Sequence, residues 1–308
     1  MPEGDTIHRV ASNLRAALAG RRVTRFEVRG RGAARVERPA RGATVDAVEA
    51  RGKHLLVTIG GVVLHTHLGM HGSWHVYRTG ERWRRPGTQA RVVIDVEGGT
   101  TAVCFAAPVV ETARAGAPVR AVDDLGPDLC APDADVDAAM VRLATLDPRT
   151  EIGVALLDQR VAAGIGNVYK SEVCFVCGVD PNAPLSSLDE VTRRALFDTA
   201  ARLLRTNLAT ARRQTYAGGL AVYGRRGRRC PRCGTTIRSR RQGEQARTTY
   251  WCPSCQPGDR RAHTTTAPAT ASTPAAASTD QGAPSAPADS TIVAATNAGS
   301  PTRTPRRA

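Results

Sequence analysis

Hydrophobic positions near the start of the chain recur every three to four residues, at Ile7, Val10, Leu14 and Leu18, a spacing that predicts an amphipathic helix. Asp5 offers an N-cap for it and Gly20 a stop. The period then changes to two. HLLVTI (54–59) and VVLHTH (62–67) flank Gly60 and Gly61, and ARVVIDV (90–96) and TTAVCFAA (100–107) flank residues 97–99; both read as hairpins. Residues 1–117 therefore predict a β-rich domain with one helix packed on it.

The Pro- and Asp-punctuated segment 118–132 predicts a linker. Helical spacing returns over 136–146 and 191–208, with a third region at 152–187, so 133–222 reads as a small helical domain. Its middle, EIGVALLDQRVAAGIGNVYKSEVCF, predicts a helix, a glycine-broken turn and a second helix from Asn167. Gly164 and Gly166 let consecutive amides face one anion at a helix N-terminus, with Asn167 as a further donor, so a phosphate site is expected there. Between 223 and 257, TIRSRR and RTTYW alternate as a β-hairpin would, with Arg238, Arg240, Arg241 and Arg247 available to phosphates. From 258 to 308 the chain is rich in Thr, Ala, Ser and Pro, too poor in apolar surface to fold, and disorder is expected. Its Arg303, Arg306 and Arg307 would add non-specific attraction to nucleic acid.

Charge sharpens this picture. Forty-three basic residues against 28 acidic give a net charge of +15, a balance that points to a polyanionic partner, most commonly nucleic acid. No run of 18 apolar residues and no charged-then-apolar leader occurs, so a soluble cytoplasmic protein without a membrane role is expected. Lys53 and Lys170 are the only lysines beside 41 arginines, and such survivors suggest sites that want a compact or deprotonatable amine.

Four of the eight cysteines, Cys230, Cys233, Cys252 and Cys255, form two CxxC pairs with 18 residues between them, the spacing of a four-thiolate zinc site. Cys174 and Cys177 form a third CxxC without a partner pair and read as ordinary buried thiols. His65 and His67 alternate on one strand face but lack a third ligand in register, and read as strand residues near a polar surface.

The start of the chain, MPEGDT, carries the most pointed chemistry. Removal of Met1 before the small Pro2 would leave a free secondary amine, which titrates near pH 8 and is nucleophilic when unprotonated. A helix N-terminus beside it lowers that value further. Glu3 is the adjacent candidate acid.

Taken in order, MPEGDT, RGKHL (51–55), HLGMHGSW (67–74), LGPDL (125–129), LLDQRVAAGIGNVYKSE and the four-Cys RTTYWCPSC hairpin resemble the formamidopyrimidine-DNA glycosylase and endonuclease VIII family of base-excision repair enzymes. The resemblance covers residues 1 to about 256 and is closest to endonuclease VIII. It implies an α+β, two-domain fold: an N-terminal β-sandwich with a leading helix, then a helix-two-turns-helix domain with a zinc β-hairpin. Pro2 resembles the nucleophile that attacks C1′ and forms a Schiff base. Glu3 resembles the general acid for sugar-ring opening, and Lys53 a lysine at the phosphates beside the lesion. Asn167 and Arg247 resemble the pair gripping the flanking backbone, Met70 the wedge filling the gap left by a flipped nucleotide, and the four cysteines the ligands of one structural zinc ion. The implied activity is removal of oxidised bases followed by β- or β,δ-elimination. The implied partner is double-stranded DNA with damaged bases or abasic sites, bound by a monomer.

Two departures bear on this. Thr6 stands where many family members carry a glutamate. The segment TARRQTYAGGLAVYG is shorter than the loop with which relatives close over 8-oxoguanine, which favours oxidised pyrimidines. Three other readings compete. Lys53 would be the nucleophile if Met1 were retained. A non-catalytic damaged-DNA or abasic-site binding protein would keep the fold but need no N-terminal amine. A zinc-ribbon RNA-binding protein fits poorly with the large β-rich first half and 4% aromatic content.

Overall fold

The structure is a computed structural model and describes residues 2–29, 40–210 and 212–258. The first helix, α1 (Gly4–Leu18), is followed by β1 (Val23–Val28), β2 (Val45–Arg51), β3 (His54–Ile59), β4 (Val62–His67), β5 (Ser73–Arg78), β6 (Ala90–Val96), β7 (Thr100–Phe105) and β8 (Val109–Arg114). These strands form two four-stranded antiparallel sheets, in the orders β1-β6-β7-β5 and β2-β3-β4-β8. Both expected hairpins are present, as β3 against β4 and β6 against β7. Strand alternation aims Leu55, Val57 and Ile59 inward from β3, where they meet Val92, Ile94 and Val96 of β6. Ile7, Ala11, Leu14 and Leu18 of α1 close the same core, which is why the 3.6-residue pattern opens the sequence.

Segment 118–132, expected as a plain linker, contains a short helix, α2 (Arg120–Asp123), and a braced aspartate, Asp128. The helical region holds α3 (Val136–Leu143), α4 (Ile152–Ala155), α5 (Asn167–Val176) and α6 (Glu190–Thr206). Asp135 and Asp189 cap α3 and α6 through their side chains, worth about 1 kcal/mol each. Their apolar faces and that of α5 share a second core built on Leu143, Tyr169, Val173, Phe197 and Leu204. A third, smaller core joins Phe175 of α5 to Val222, Ile237 and Cys252. It supports the last hairpin, β9 (Arg238–Gln242) against β10 (Arg247–Trp251). The low-complexity reading of the C-terminal segment lies, from residue 259 on, outside the described residues.

One local expectation is corrected. Asp5 does not cap α1: the helix starts at Gly4 and Glu3 occupies the N-cap position. Asp5 is instead wholly buried and paired with a residue from the far side of the chain. Gly20 does end the helix, at φ +73°.

Candidate active site

A helix N-terminus leaves amides without intrahelical partners, and a buried one needs an acceptor from elsewhere. At α5 that acceptor is Glu3. Its Oε1 accepts from the Val168 amide at 2.8 Å, and its Oε2 from those of Gly166 at 3.0 Å and Tyr169 at 3.2 Å. Glu3 thus stands at the N-cap of α1 while its carboxyl group caps α5. The expected phosphate site at the glycine turn is corrected by this geometry, because the anion held there belongs to the protein. Close approach explains two of the glycines. A Cβ on Gly166 would lie 2.4 Å from Glu3 Cδ, and one on Gly4 would lie 2.7 Å from Cys130 Sγ and 2.9 Å from Gly164 Cα. The Gly4 amide donates to Gly164 O at 3.0 Å, which ties the start of α1, two residues after the half-buried Pro2, to the same turn.

Burial pushes the Glu3 carboxyl up from its ordinary range, against the opposing pull of Arg213, the α5 amides and Lys53. Lys53, in the turn between β2 and β3, is brought down to about 8 by burial and by Arg247, with Glu3 pulling the other way. Lys170, the other lysine, is fully buried on α5 and also lies at about 8, chiefly through burial. Its Nζ donates to Thr249 Oγ1 at 2.6 Å. Both lysines of the chain therefore sit within the electrostatic reach of Glu3 and Arg247.

Asn167 is the first residue of α5 and is buried. Its Nδ2 donates to Thr248 O at 2.7 Å, while its Oδ1 has no partner among the described residues. Arg247, the neighbour of Thr248, is exposed, and its Nε donates to Gln245 Oε1 at 3.2 Å. The two residues expected to grip the backbone, Asn167 and Arg247, thus stand on two elements, α5 and β10, with the Arg247 side chain exposed. Met70 stands in the turn between β4 and β5 with 62% of its surface exposed, unusual for a methionine that has a core to enter.

Sequence reasoning gave Asp5 another role and missed Asp128 and Glu172. Asp5 receives a two-pronged bond from Arg213, at 2.6 and 2.9 Å, and the guanidinium lies 5.0 Å from the Tyr169 ring. Thr6 donates to Asp5 Oδ1 at 3.2 Å, so a carboxylate is present beside Thr6 even though Thr6 is not an acid. Asp128 lies 2.8 Å from His8 Nε2 and accepts from the Gly52 amide at 2.7 Å and the Cys130 amide at 2.9 Å. It joins α1, the Lys53 turn and the segment after α2. Those bonds outweigh burial and hold its carboxyl below the ordinary range. Glu172 accepts from the amides of Ala221, Val222 and Tyr223 at 2.8, 2.8 and 2.7 Å, and from Thr215. Glu172 lies in the helical run NVYKSEVCFV beside Lys170 and Ser171, and nothing in that local pattern points to segment 215–223.

His65 and His67 are strand residues of β4, as expected. His65 is buried, 2.8 Å from His54 Nδ1 and 3.2 Å from Glu111. Burial, then His67, His65 and Lys53, bring His54 down to about 3, which keeps it neutral. Among the described residues these histidines belong to no ligand-spaced group.

The four cysteines do. Their Sγ atoms all lie within 4.8 Å of one another, with Cys230 3.8 Å from Cys255 and Cys233 3.5 Å from Cys252. Tetrahedral zinc with Zn–S bonds of about 2.3 Å needs sulfurs about 3.8 Å apart, and disulfides would need about 2.05 Å. Amides of Arg232 and Cys255 point at Cys230 and Cys252 Sγ, at 3.4 and 3.5 Å, as thiolate ligands require. The residues fit a four-thiolate metal ion.

Two family models match: the formamidopyrimidine-DNA glycosylase N-terminal domain over residues 1–108 and the formamidopyrimidine-DNA glycosylase H2TH domain over 125–217. The chain belongs to the formamidopyrimidine-DNA glycosylase and endonuclease VIII family. It is 46% identical to the "Probable endonuclease 8 2" of Streptomyces coelicolor, over 84% of this chain and 95% of that protein. It is 42% identical to the "DNA-(apurinic or apyrimidinic site) lyase Nei2" of Mycolicibacterium smegmatis, over 83% and 99%. The fold matches that of the Lactococcus lactis glycosylase in complex with abasic-site DNA, at a TM-score of 0.71 and 22% identity, covering 83% of this chain and all of that one. With this membership the β-sandwich and helix-two-turns-helix architecture and the DNA glycosylase and abasic-site lyase class are established.

Proposed function

We propose that this enzyme removes oxidised bases, pyrimidines foremost, from double-stranded DNA through an imine on Pro2, and then nicks the strand. The observation that carries the reading is the Glu3 carboxyl, adjacent in sequence to the Pro2 amine, buried, and held by three amides and two nearby cations. In the proposed sequence the Pro2 nitrogen attacks C1′, and the glycosidic electron pair leaves with the base. The C1′–O4′ bond then opens, O4′ taking a proton from Glu3, and loss of the amine proton leaves the iminium. The iminium acidifies C2′; loss of that proton expels the 3′ phosphate, and a second elimination releases the 5′ side. Thr6 supplies no acid, and Asp5 is engaged by Arg213, so Glu3 carries the proton transfers.

Cleavage at C1′ needs the nucleotide out of the stack, which calls for grips on the backbone and a filler for the gap. Lys53, Asn167 and Arg247 are the proposed grips and Met70 the filler; Lys53 at about 8 is charged at neutral pH and suits a phosphate. Cys230, Cys233, Cys252 and Cys255 would hold a zinc ion that stiffens the hairpin bearing Arg247, with no chemical step of its own. Membership of a lyase family and the engaged acid both favour catalysis over the damage-binding alternative.

Borohydride trapping tests the reading. The full chain is incubated with duplexes carrying an abasic site, 5-hydroxyuracil or 8-oxoguanine, reduced, and the adduct mapped by mass spectrometry. An adduct on Pro2, greater with 5-hydroxyuracil than with 8-oxoguanine, is expected. Binding without any adduct would leave the protein a damage-binding member of the family.

A further inference from the structure

Between β5 and β6 the chain reads TGERWRRPGTQ (79–89), with three arginines in four residues. The loop is rigidly built. Trp83 packs edge-on against Phe105 with centroids 5.7 Å apart, and the Arg84 amide donates to Tyr77 Oη at 3.2 Å. Arg85 ties the loop to its neighbour. It donates to His71 O and to Ser73 Oγ, both at 2.9 Å, and to Gln89 Oε1 at 2.8 and 3.1 Å. His71 is the residue after Met70, so the basic loop is stapled to the turn that presents the exposed methionine.

Arg82 and Arg84 are exposed, and among the described residues neither pairs with a carboxylate. The one acid in the loop, Glu81, is turned back onto the Arg78 amide at 3.0 Å. Two unpaired guanidinium groups on a rigid loop form a surface for an extended polyanion, because guanidinium groups fork onto phosphate oxygens and lose little entropy when already positioned.

We propose that loop 79–89 is a second DNA-binding element of this enzyme. Arg82 and Arg84 contact backbone phosphates beside the point where Met70 enters the duplex, and Arg85 is the positioning residue that holds the Met70 turn. This rests on the reading of Met70 as the wedge, and the test separates the two.

Binding of the full chain to a duplex with a tetrahydrofuran abasic analogue, and to the undamaged duplex, is measured by fluorescence anisotropy across a salt series. Each lost phosphate contact removes about 0.9 from the slope of log K against log salt, so Arg82→Ala/Arg84→Ala flattens it by about 1.8. Affinity for both duplexes falls together. Arg85→Ala instead lowers the ratio of damaged to undamaged affinity, as Met70→Ala does, with Arg85→Lys recovering part of it and the Met70→Ala/Arg85→Ala pair no worse than Met70→Ala. Arg247→Ala is the reference. A flatter slope for Arg247→Ala with a wild-type slope for Arg82→Ala/Arg84→Ala overturns the loop proposal alone. Unchanged slopes for both, with no Pro2 adduct, overturn the underlying reading as well. Unfolding midpoints equal to wild type establish that each variant is folded.

Discussion

Glu172 provides a test of how the loop after α6 is held. Its two oxygens accept four bonds, Oε1 from the Val222 and Tyr223 amides and Oε2 from the Ala221 amide and the Thr215 hydroxyl. Glu172→Gln keeps the shape and replaces one oxygen by an NH2 group. Placed at Oε2, that group can be accepted by the Thr215 hydroxyl but leaves the Ala221 amide facing another donor. A buried amide without an acceptor costs about 1–3 kcal/mol, and the bonds that remain lose their charge assistance, roughly 1 kcal/mol between them. The expected loss in unfolding free energy is about 3 kcal/mol, read from urea denaturation with the slope unchanged. Glu172→Ala should cost no more than this, because the freed segment can turn its amides to water. Hydrogen exchange at Ala221, Val222 and Tyr223 should then rise far above that at the α5 amides. A Glu172→Gln variant within about 0.5 kcal/mol of wild type, the range of an ordinary surface change, would refute the assignment of this carboxylate as the anchor.

Lys170 should make stability depend on alkaline pH. Its folded value of about 8 lies below the ordinary 10.5, so between those limits the unfolded chain holds a proton that the folded one has released, and stability rises with pH. Below 8 the full cost of burying the ammonium remains. Lys170→Met should therefore be more stable than wild type at pH 7, with a smaller gap at pH 9.5 in urea unfolding, and a constant gap would count against it; Lys53 contributes the same trend in both proteins. Removing the metal with a chelator should melt the hairpin and abolish retention of abasic-site DNA while the sandwich unfolds at its usual midpoint, and elemental analysis should return one zinc per chain. A chelated protein that binds DNA as before would show that the hairpin needs no metal.

The sequence by itself determined what depends on neighbours along the chain. Ile7, Leu14 and Leu18 at helical spacing, the alternation around Gly60 and Gly98, and two CxxC pairs on tight turns are local patterns, and each became the expected element. The ordered motifs from MPEGDT to RTTYWCPSC identified the family for the same reason. Tertiary structure decided which groups meet. Asp5 has the local features of an N-cap, yet a bond to Arg213, 208 positions away, claims it. The amides at Gly166 have the features of a phosphate site, yet Glu3, 163 positions away, fills it. Glu172 and Lys170 are polar residues on a helix buried on every side, and their partners lie in segments that only folding brings alongside. A buried charge must find its partner somewhere, and a one-dimensional pattern does not say where.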